Sequence, residues 1–414
     1  MLNDDDNVLL EDYVKFVPYT IPGENYKDIP INFSKCGIYN DMKNIKLQQV
    51  PLNTVIINRD NVIIDGGELN INTKTCINII GKKIKESKKY LLTDNYYPSG
   101  SAVFNLNISN IKDNDLRVGD EVLISYKTNN KWITKLNMSK FWKNGITMNW
   151  FSKISEVQGN QIKLDIPITY GLNKEYGDFY LAKYTNNRIK NIIIRNIKIS
   201  TSLKDEGTIG IYLENCENVL IENVETKGFD RGIKISDGAN HITVNNCIVY
   251  EANTPVEGGN RYAYEIDAGN NCLIQNCKAY KSRHPYAGGG RCCGPHVFYN
   301  CQAIDNMKTA TSQPHRLWGN GFLYDNIIES NGIDFENRED SGSGHGWAAA
   351  NCIAWNCDAR MVCENPPTAR NFFIGCTGGR GEFYKGNKSR PMHTIISEGK
   401  KVEPRSLFIY QSSL

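Results

Sequence analysis

The 414-residue chain has little net charge: 48 Lys and Arg against 45 Asp and Glu leave +3. A nucleic-acid binder neutralises phosphates with a basic surface, and no such global field exists here, so nucleic acid is not an expected partner. No apolar run reaches the roughly 18 residues of a membrane-crossing helix. The opening MLNDDDNVLL is acidic where an export signal is basic and then apolar, so no signal peptide is read from it. The 13 cysteines lack the CxxC spacing of a zinc site, and their odd number argues against a closed disulfide framework.

What the chain does have is repetition. Short apolar runs end in asparagine at Asn196, Asn223, Asn246, Asn276, Asn300, Asn326 and Asn356, and Gly375 fills the next slot. The intervals of 27, 23, 30, 24, 26, 30 and 19 residues are irregular. Runs this short and β-branched are strands, and variable spacing suits stacked coils with loops of different length. One such coil cannot bury its apolar face alone, whereas stacked coils share a core. The expected fold is therefore all-β, a parallel β-helix.

The residue after each asparagine is Cys247, Cys277, Cys301, Cys357 or Cys376, with Ile197, Val224 and Ile327 elsewhere. This column reads as an inward ladder in which a free thiol serves as a small hydrophobe. The segments LRVGDEVLISYK, FSKISEVQGNQIKLDIPI and DFYLAKY break the pattern and resemble antiparallel hairpins. Four regions follow: an N-terminal cap and first coils over 1–84, an all-β insertion over 85–187, the coils over 188–385, and a tail over 386–414 packed on them. Trp132, Trp142 and Trp150 are assigned to the insertion core.

Equivalent positions on successive coils line up as ladders. Counting back eleven residues from each asparagine gives Tyr212, Ile235, Glu265, Gly289, His315, His345 and Glu364; counting back nine gives Glu214, Asp237, Asp267, Arg291, Leu317, Trp347 and Pro366. These two columns are expected to face outward, with carboxylates at one end and His and Arg at the other. Arg316, which falls in the intervening core column, signals a slip of the count near Pro314. Five of six histidines lie between residues 284 and 393 amid many arginines. Such a strip suits a polyanionic sugar chain. Within it His296 is read as packed, and the Gly- and Pro-flanked His315 and His345 as functional.

The blocks RHPYAGGG, PHRLWGNGFLYDNI, ENREDSGSGHGWAAANCIAWNC, ENPPTARNFFIGC and VEPRSLFIYQ resemble the right-handed parallel β-helix proteins of the pectin-lyase-like superfamily, in particular a pectate-lyase-like group. The resemblance covers about residues 190–414. It implies a right-handed β-helix and cleavage of an acidic, uronate-containing polysaccharide. The family's RxPxxR signature is broken, since Arg283 and Pro285 are followed by Arg291, three residues late. Calcium-using members hold the ion with an aspartate cluster, of which Asp237, Glu265 and Asp267 would supply part, so calcium is the one candidate cofactor.

β-Elimination at a 4-linked uronate needs a neutralised carboxylate, a base for the C5 proton and an acid for the departing O4. Arg316 or Arg338 is the expected clamp, His345 or His315 the base, and the other histidine or Tyr286 the acid. Trp318 and Trp347 would stack on sugar rings, and Arg283, His284, Arg291 and Glu364 would flank the chain. Hydrolysis by Asp237, Glu265 and Asp267 is the alternative chemistry, and a non-catalytic glycan-binding viral spike the alternative class. The protein would act outside a cell or on a virion, as a monomer or a trimer.

Overall fold

The computed structural model describes residues 36–37, 54–109, 114–307, 311–386 and 390–413. Most of the expected N-terminal cap lies outside these residues. The rest is a right-handed parallel β-helix with an antiparallel insertion. A 17-stranded and a 7-stranded parallel sheet wrap one continuous core. Its central column runs Ile194, Ile221, Val244, Ile274, Phe298, Tyr324, Ala354 and Phe373, each paired in register with the next.

The seven asparagines form one corner. All adopt left-handed backbone, with φ between 49° and 56°. That region costs an ordinary L-residue about 1–2 kcal/mol, and asparagine enters it more readily because its short amide bonds locally. The amides also tie coils together: Asn223 Nδ2 donates to Asn196 Oδ1 at 3.0 Å, Asn246 to Asn223 at 2.8 Å and Asn300 to Asn276 at 2.7 Å. Asn276 donates instead to Asn245, at 3.0 Å. Farther along the helix the ladder passes to the C-terminal segment, where Asn326 donates to the Arg405 carbonyl and Asn356 to that of Val402, both at 2.7 Å. Buried Asp325 fastens the same segment, accepting from Ser406 Oγ and the Phe408 amide at 2.8 Å.

A second left-handed corner holds Asn61, Asn191, Asn218, His241, Asn271 and Asn351. Asn218 Nδ2 donates to Asn191 Oδ1 at 2.7 Å and Asn191 to Asn61 at 3.1 Å. His241 is therefore a corner residue, its Nδ1 3.0 Å from the Gly37 carbonyl.

The insertion is a six-stranded antiparallel sheet built from Lys85–Leu91, Gly177–Thr185, Glu121–Thr128, Thr147–Gln158, Gln161–Leu164 and Val103–Asn105. It packs on the solenoid through tryptophans. Trp132 meets Trp142 at 5.8 Å and, edge to face, Trp318 of the solenoid at 4.9 Å. Trp318 is fully buried in this seam, which corrects its assignment as a sugar platform. Trp347 packs against the same cluster and donates from Nε1 to the Leu136 carbonyl at 3.0 Å, so it too serves the seam.

All 13 cysteines are buried and free. Burial pushes the Cys272 and Cys352 thiols, for example, above their ordinary range. Thiol titration of the non-reduced protein should therefore find 13 reactive groups in denaturant and almost none in the native state. Fewer than that in denaturant would show cross-links and contradict the hydrophobic role of the ladder.

Candidate functional site

The seven-stranded sheet carries a cleft of about 460 Å³ on its outer face. Its geometry begins with a break in strand alternation. In strand Arg231–Ile235 both Gly232 and Ile233 face inward: a Cβ on Gly232 would lie 2.5 Å from the Val249 side chain, and Ile233 is fully buried. The outward positions are therefore Arg231 and Lys234. The register repeats this on the next coils, where Arg231 pairs with Tyr262 and then His284, and Lys234 pairs with Glu265 and then Ala287. A third column continues from Asp267 through Gly289 to His315, by the Gly289 N to Ile266 O and His315 N to Gly288 O bonds of 2.7 Å. Gly289 has to be glycine here, because a Cβ would fall 2.5 Å from the Asp267 Cα.

Arg338 and His345 come from a glycine-rich loop after strand Ile328–Phe335, closed by the Arg338 N to Gly346 O bond of 2.8 Å. The loop bends tightly over its histidine; Gly342 has φ +55°, and a Cβ there would sit 2.3 Å from His345 Cε1.

These elements pack three imidazoles and a phenol together, tilted or edge to face. Ring centroids are 4.5 Å apart for Tyr262–His284, 4.5 Å for His284–His315 and 5.0 Å for His315–His345. The Tyr262 hydroxyl lies 3.0 Å from His315 Nε2. Arg338 Nη1 donates to the His315 carbonyl at 2.8 Å and faces His315 Nδ1 at 2.9 Å. The same Nη1 lies 3.1 Å from Nε2, and because a guanidinium donates and cannot accept, its closeness to both ring nitrogens disfavours the imidazolium. Burial and then the Arg338 charge hold His315 well below the usual histidine range, and the same causes bring His345 down to about 4. Burial and then Glu265 push Tyr262 up to about 12.

The other side of the cleft is an ion-pair ladder. Lys234 Nζ is 3.6 Å from Glu265 and 3.0 Å from Asp267. Arg231 contacts Asp230 at 2.8 Å and Glu265 at 3.1 Å, and Arg316 reaches Asp267 at 3.6 Å.

The cleft thus brings together His315, Arg316, Arg338, His345, Arg283, Glu265 and Asp267 from the sequence-derived set. Several others fall elsewhere. Tyr286 is a core residue stacked on Tyr264 at 5.5 Å, its hydroxyl bonded to the Cys277 and Gln302 carbonyls, so it cannot be the acid. His284 is buried beneath Tyr262 and His315 and cannot touch substrate directly. Arg291 is exposed outside the cleft lining. Glu364 is buried behind the loop, accepting from the Asn337 amide at 2.7 Å and pairing with Arg390 at 3.4 Å.

Asp237 is exposed beside Lys83 at 3.8 Å, away from the other two carboxylates. The calcium candidate fails on geometry: Lys234 already bridges Glu265 and Asp267, and no group of three His, Cys, Asp or Glu suited to a metal occurs among the described residues. The error came from one-residue slips. Tyr212 and Glu265 do share a column, but the residue between them is Lys234, not the buried Ile235. For the same reason Lys234 escaped the sequence reading, whereas Arg231 and Tyr262 lie three residues farther back on their strands than Lys234 and Glu265, outside the columns counted. The one available signal was Gly232, a residue that often marks a bulge or close approach within a strand.

No protein-family model matches the chain, and no curated protein does. Among solved structures the chain is similar to the tailspike protein gp49 from Pseudomonas phage LKA1, with TM-score 0.49 and 14% identity over 78% of this chain and 52% of that one. It is also similar to the gp54 tailspike of Acinetobacter baumannii bacteriophage AP22, in complex with A. baumannii capsular saccharide, with TM-score 0.49 and 14% identity over 79% and 49%. The chain spans about half the length of these two. The Pseudomonas phage phi297 tailspike gp61 aligns with TM-score 0.28 and 11% identity over 83% and 72%.

The depressed histidines have a measurable consequence. An unfolded chain protonates histidine near pH 6.5, whereas His345 in the cleft waits until about 4. Between these values the unfolded state binds more protons, so this contribution to stability is lost as pH falls. Imidazole NMR should show His315 and His345 neutral at pH values of about 6 and above. A ring titrating near its free value would contradict the packing of Arg338 against the stack.

Proposed function

We propose that the cleft binds an acidic glycan and cleaves it by β-elimination. The observation that carries this reading is the Tyr262 hydroxyl 3.0 Å from His315 Nε2, next to Arg338 and the half-buried His345. Arg338 and Arg283 neutralise the uronate carboxylate and so acidify its C5 proton. His345, half-buried in the cleft lining, takes that proton. The C5–H electron pair forms the C4–C5 double bond as the C4–O4 bond breaks, and O4 leaves with the proton of Tyr262, whose phenolate His315 then supports. In the free cleft burial and then the neighbouring guanidinium charges weaken His345 as a base. A carboxylate seated among them offsets that charge and raises its basicity, so base strength follows binding.

Hydrolysis is the second reading, favoured by one feature: Glu265 from strand Tyr262–Ile266 and Asp267 just after it line the same cleft, and burial raises the Glu265 carboxyl. Both, however, are engaged by Lys234. A polymeric acidic substrate places the protein outside a cell or on a virion surface.

Incubation with acidic glycans separates the readings. Elimination yields both new reducing ends and the ultraviolet absorbance of an unsaturated uronate; hydrolysis yields reducing ends alone; a binding protein yields neither. Tyr262→Phe and His345→Ala should each lower turnover by about 10²-fold or more, the usual size of a general acid or base contribution, with little change in melting temperature. Full activity in both variants would remove the chemistry from this end of the cleft.

A further inference from the structure

Five cationic side chains face the cleft, but they are not equivalent. Arg231, Lys234 and Arg316 are each paired with a carboxylate among Asp230, Glu265 and Asp267. Arg283 and Arg338 have no carboxylate at ion-pair distance among the described residues. Arg338 spends its donors on the His315 carbonyl and Ser341 Oγ, and Arg283 on the Gly258 carbonyl. The acids behind Arg338 are occupied elsewhere: Asp334 pairs with Arg360 at 2.9 Å, and Glu336, with its carboxyl pushed up to about 8 by burial, lies 3.7 Å from Arg390.

The two kinds of charge are also separated along the solenoid. The balanced ladder belongs mainly to the strands Arg231–Ile235 and Tyr262–Ile266, whereas Arg283, His315, Arg338 and His345 lie on later coils. Coils repeat at about 4.8 Å, comparable with the length of one pyranose. A glycan lying along the axis therefore meets two guanidinium groups without an ion-paired carboxylate at one position and a neutral donor–acceptor ladder at the next.

We infer that the glycan of this cleft carries its acid at isolated positions, a uronate flanked by neutral sugars, rather than being a homopolyuronate. This rests on the acidic-glycan reading and narrows it. The carboxylate seats between Arg283 and Arg338. A second carboxylate on the adjacent sugar would face Glu265 and Asp267, whose cations are already committed, and would lose its hydration without gaining a counter-charge. Hydroxyl and amide groups of a neutral sugar fit that ladder, which offers both donors and acceptors.

The test is calorimetric binding of the full chain to two sets of oligosaccharides of equal length at one ionic strength. One set alternates uronate with a neutral sugar (hyaluronan, unsulfated chondroitin and heparosan oligomers). The other is homopolyuronate (oligogalacturonate, oligomannuronate and oligoguluronate). The best alternating ligand should bind at least about tenfold more tightly than the best homopolyuronate, a difference of about 1.4 kcal/mol. Asp267→Asn, close to isosteric, should narrow that gap by strengthening homopolyuronate binding, and Arg283→Gln should weaken both sets; thermal melting of each variant verifies folding. Equal or tighter homopolyuronate binding, or a gap that Asp267→Asn leaves unchanged, overturns the inference while the acidic-glycan reading stands. Failure of every acidic oligosaccharide to bind overturns both.

Discussion

Each coil of the solenoid turns at residues whose backbone lies in the left-handed region, and the direction of every neighbouring side chain is measured from those corners. Strands of parallel coils have no stability apart from one another, because each buries its apolar side only against the coils above and below. The corner must therefore recur at the same place in every coil. Asparagine meets both needs, accepting positive φ and offering an amide that bonds to its counterpart one coil away. The small inward thiols beneath it let the corners stack closely. Where the ladder runs out, the C-terminal segment supplies carbonyls to Asn326 and Asn356 and amide and hydroxyl donors to Asp325, so the same bonding continues without another coil.

The cleft inherits this register and adds an electrostatic conflict. Arg338 is brought against His315 by a loop braced from behind by Glu364, which accepts from the Asn337 amide and pairs with Arg390. The cost of crowding cations and histidines is met by leaving the imidazoles neutral. An anion entering the cleft relieves that crowding, so binding and proton affinity are coupled: whatever favours the anion also favours protonation of the histidines, and the reverse. His284, buried against both Tyr262 and His315, packs behind the cleft lining.

The insertion bears on the site indirectly. Its tryptophans pack against Trp318 and Trp347, residues that adjoin His315 and His345 in sequence. Trp142 donates from Nε1 to the Gly344 carbonyl at 3.1 Å, and a Cβ on Gly346 would fall 2.7 Å from its ring. The loop that presents His345 is thus held between solenoid and insertion. Aromatic residues with the composition of a sugar platform are here the fastening that keeps the histidine loop in place.

The amino-acid sequence by itself determined the solenoid. The asparagine corners, the strand runs between them, the buried thiol column and the antiparallel texture of the insertion are local patterns that repeat, and repetition makes them legible. It also singled out His315, Arg316, Arg338 and His345, because glycine, proline and charge cluster around them. It could not determine the outward face. One extra residue between Lys234 and the corner at Asn246, compared with the spans from Tyr212 to Asn223 and from Glu265 to Asn276, exchanges Ile235 for Lys234, and a period of two admits no tolerance for such a shift. Lys234 was hidden by that phase change, and Arg231 and Tyr262, three residues earlier on their strands, by the break in strand alternation that turns them outward. Tyr286, Trp318 and Trp347 were misassigned because chemical type does not reveal which core a side chain enters. Only the packed coils decide that, since the pairing of ions across strands and the seating of the insertion depend on residues distant in sequence.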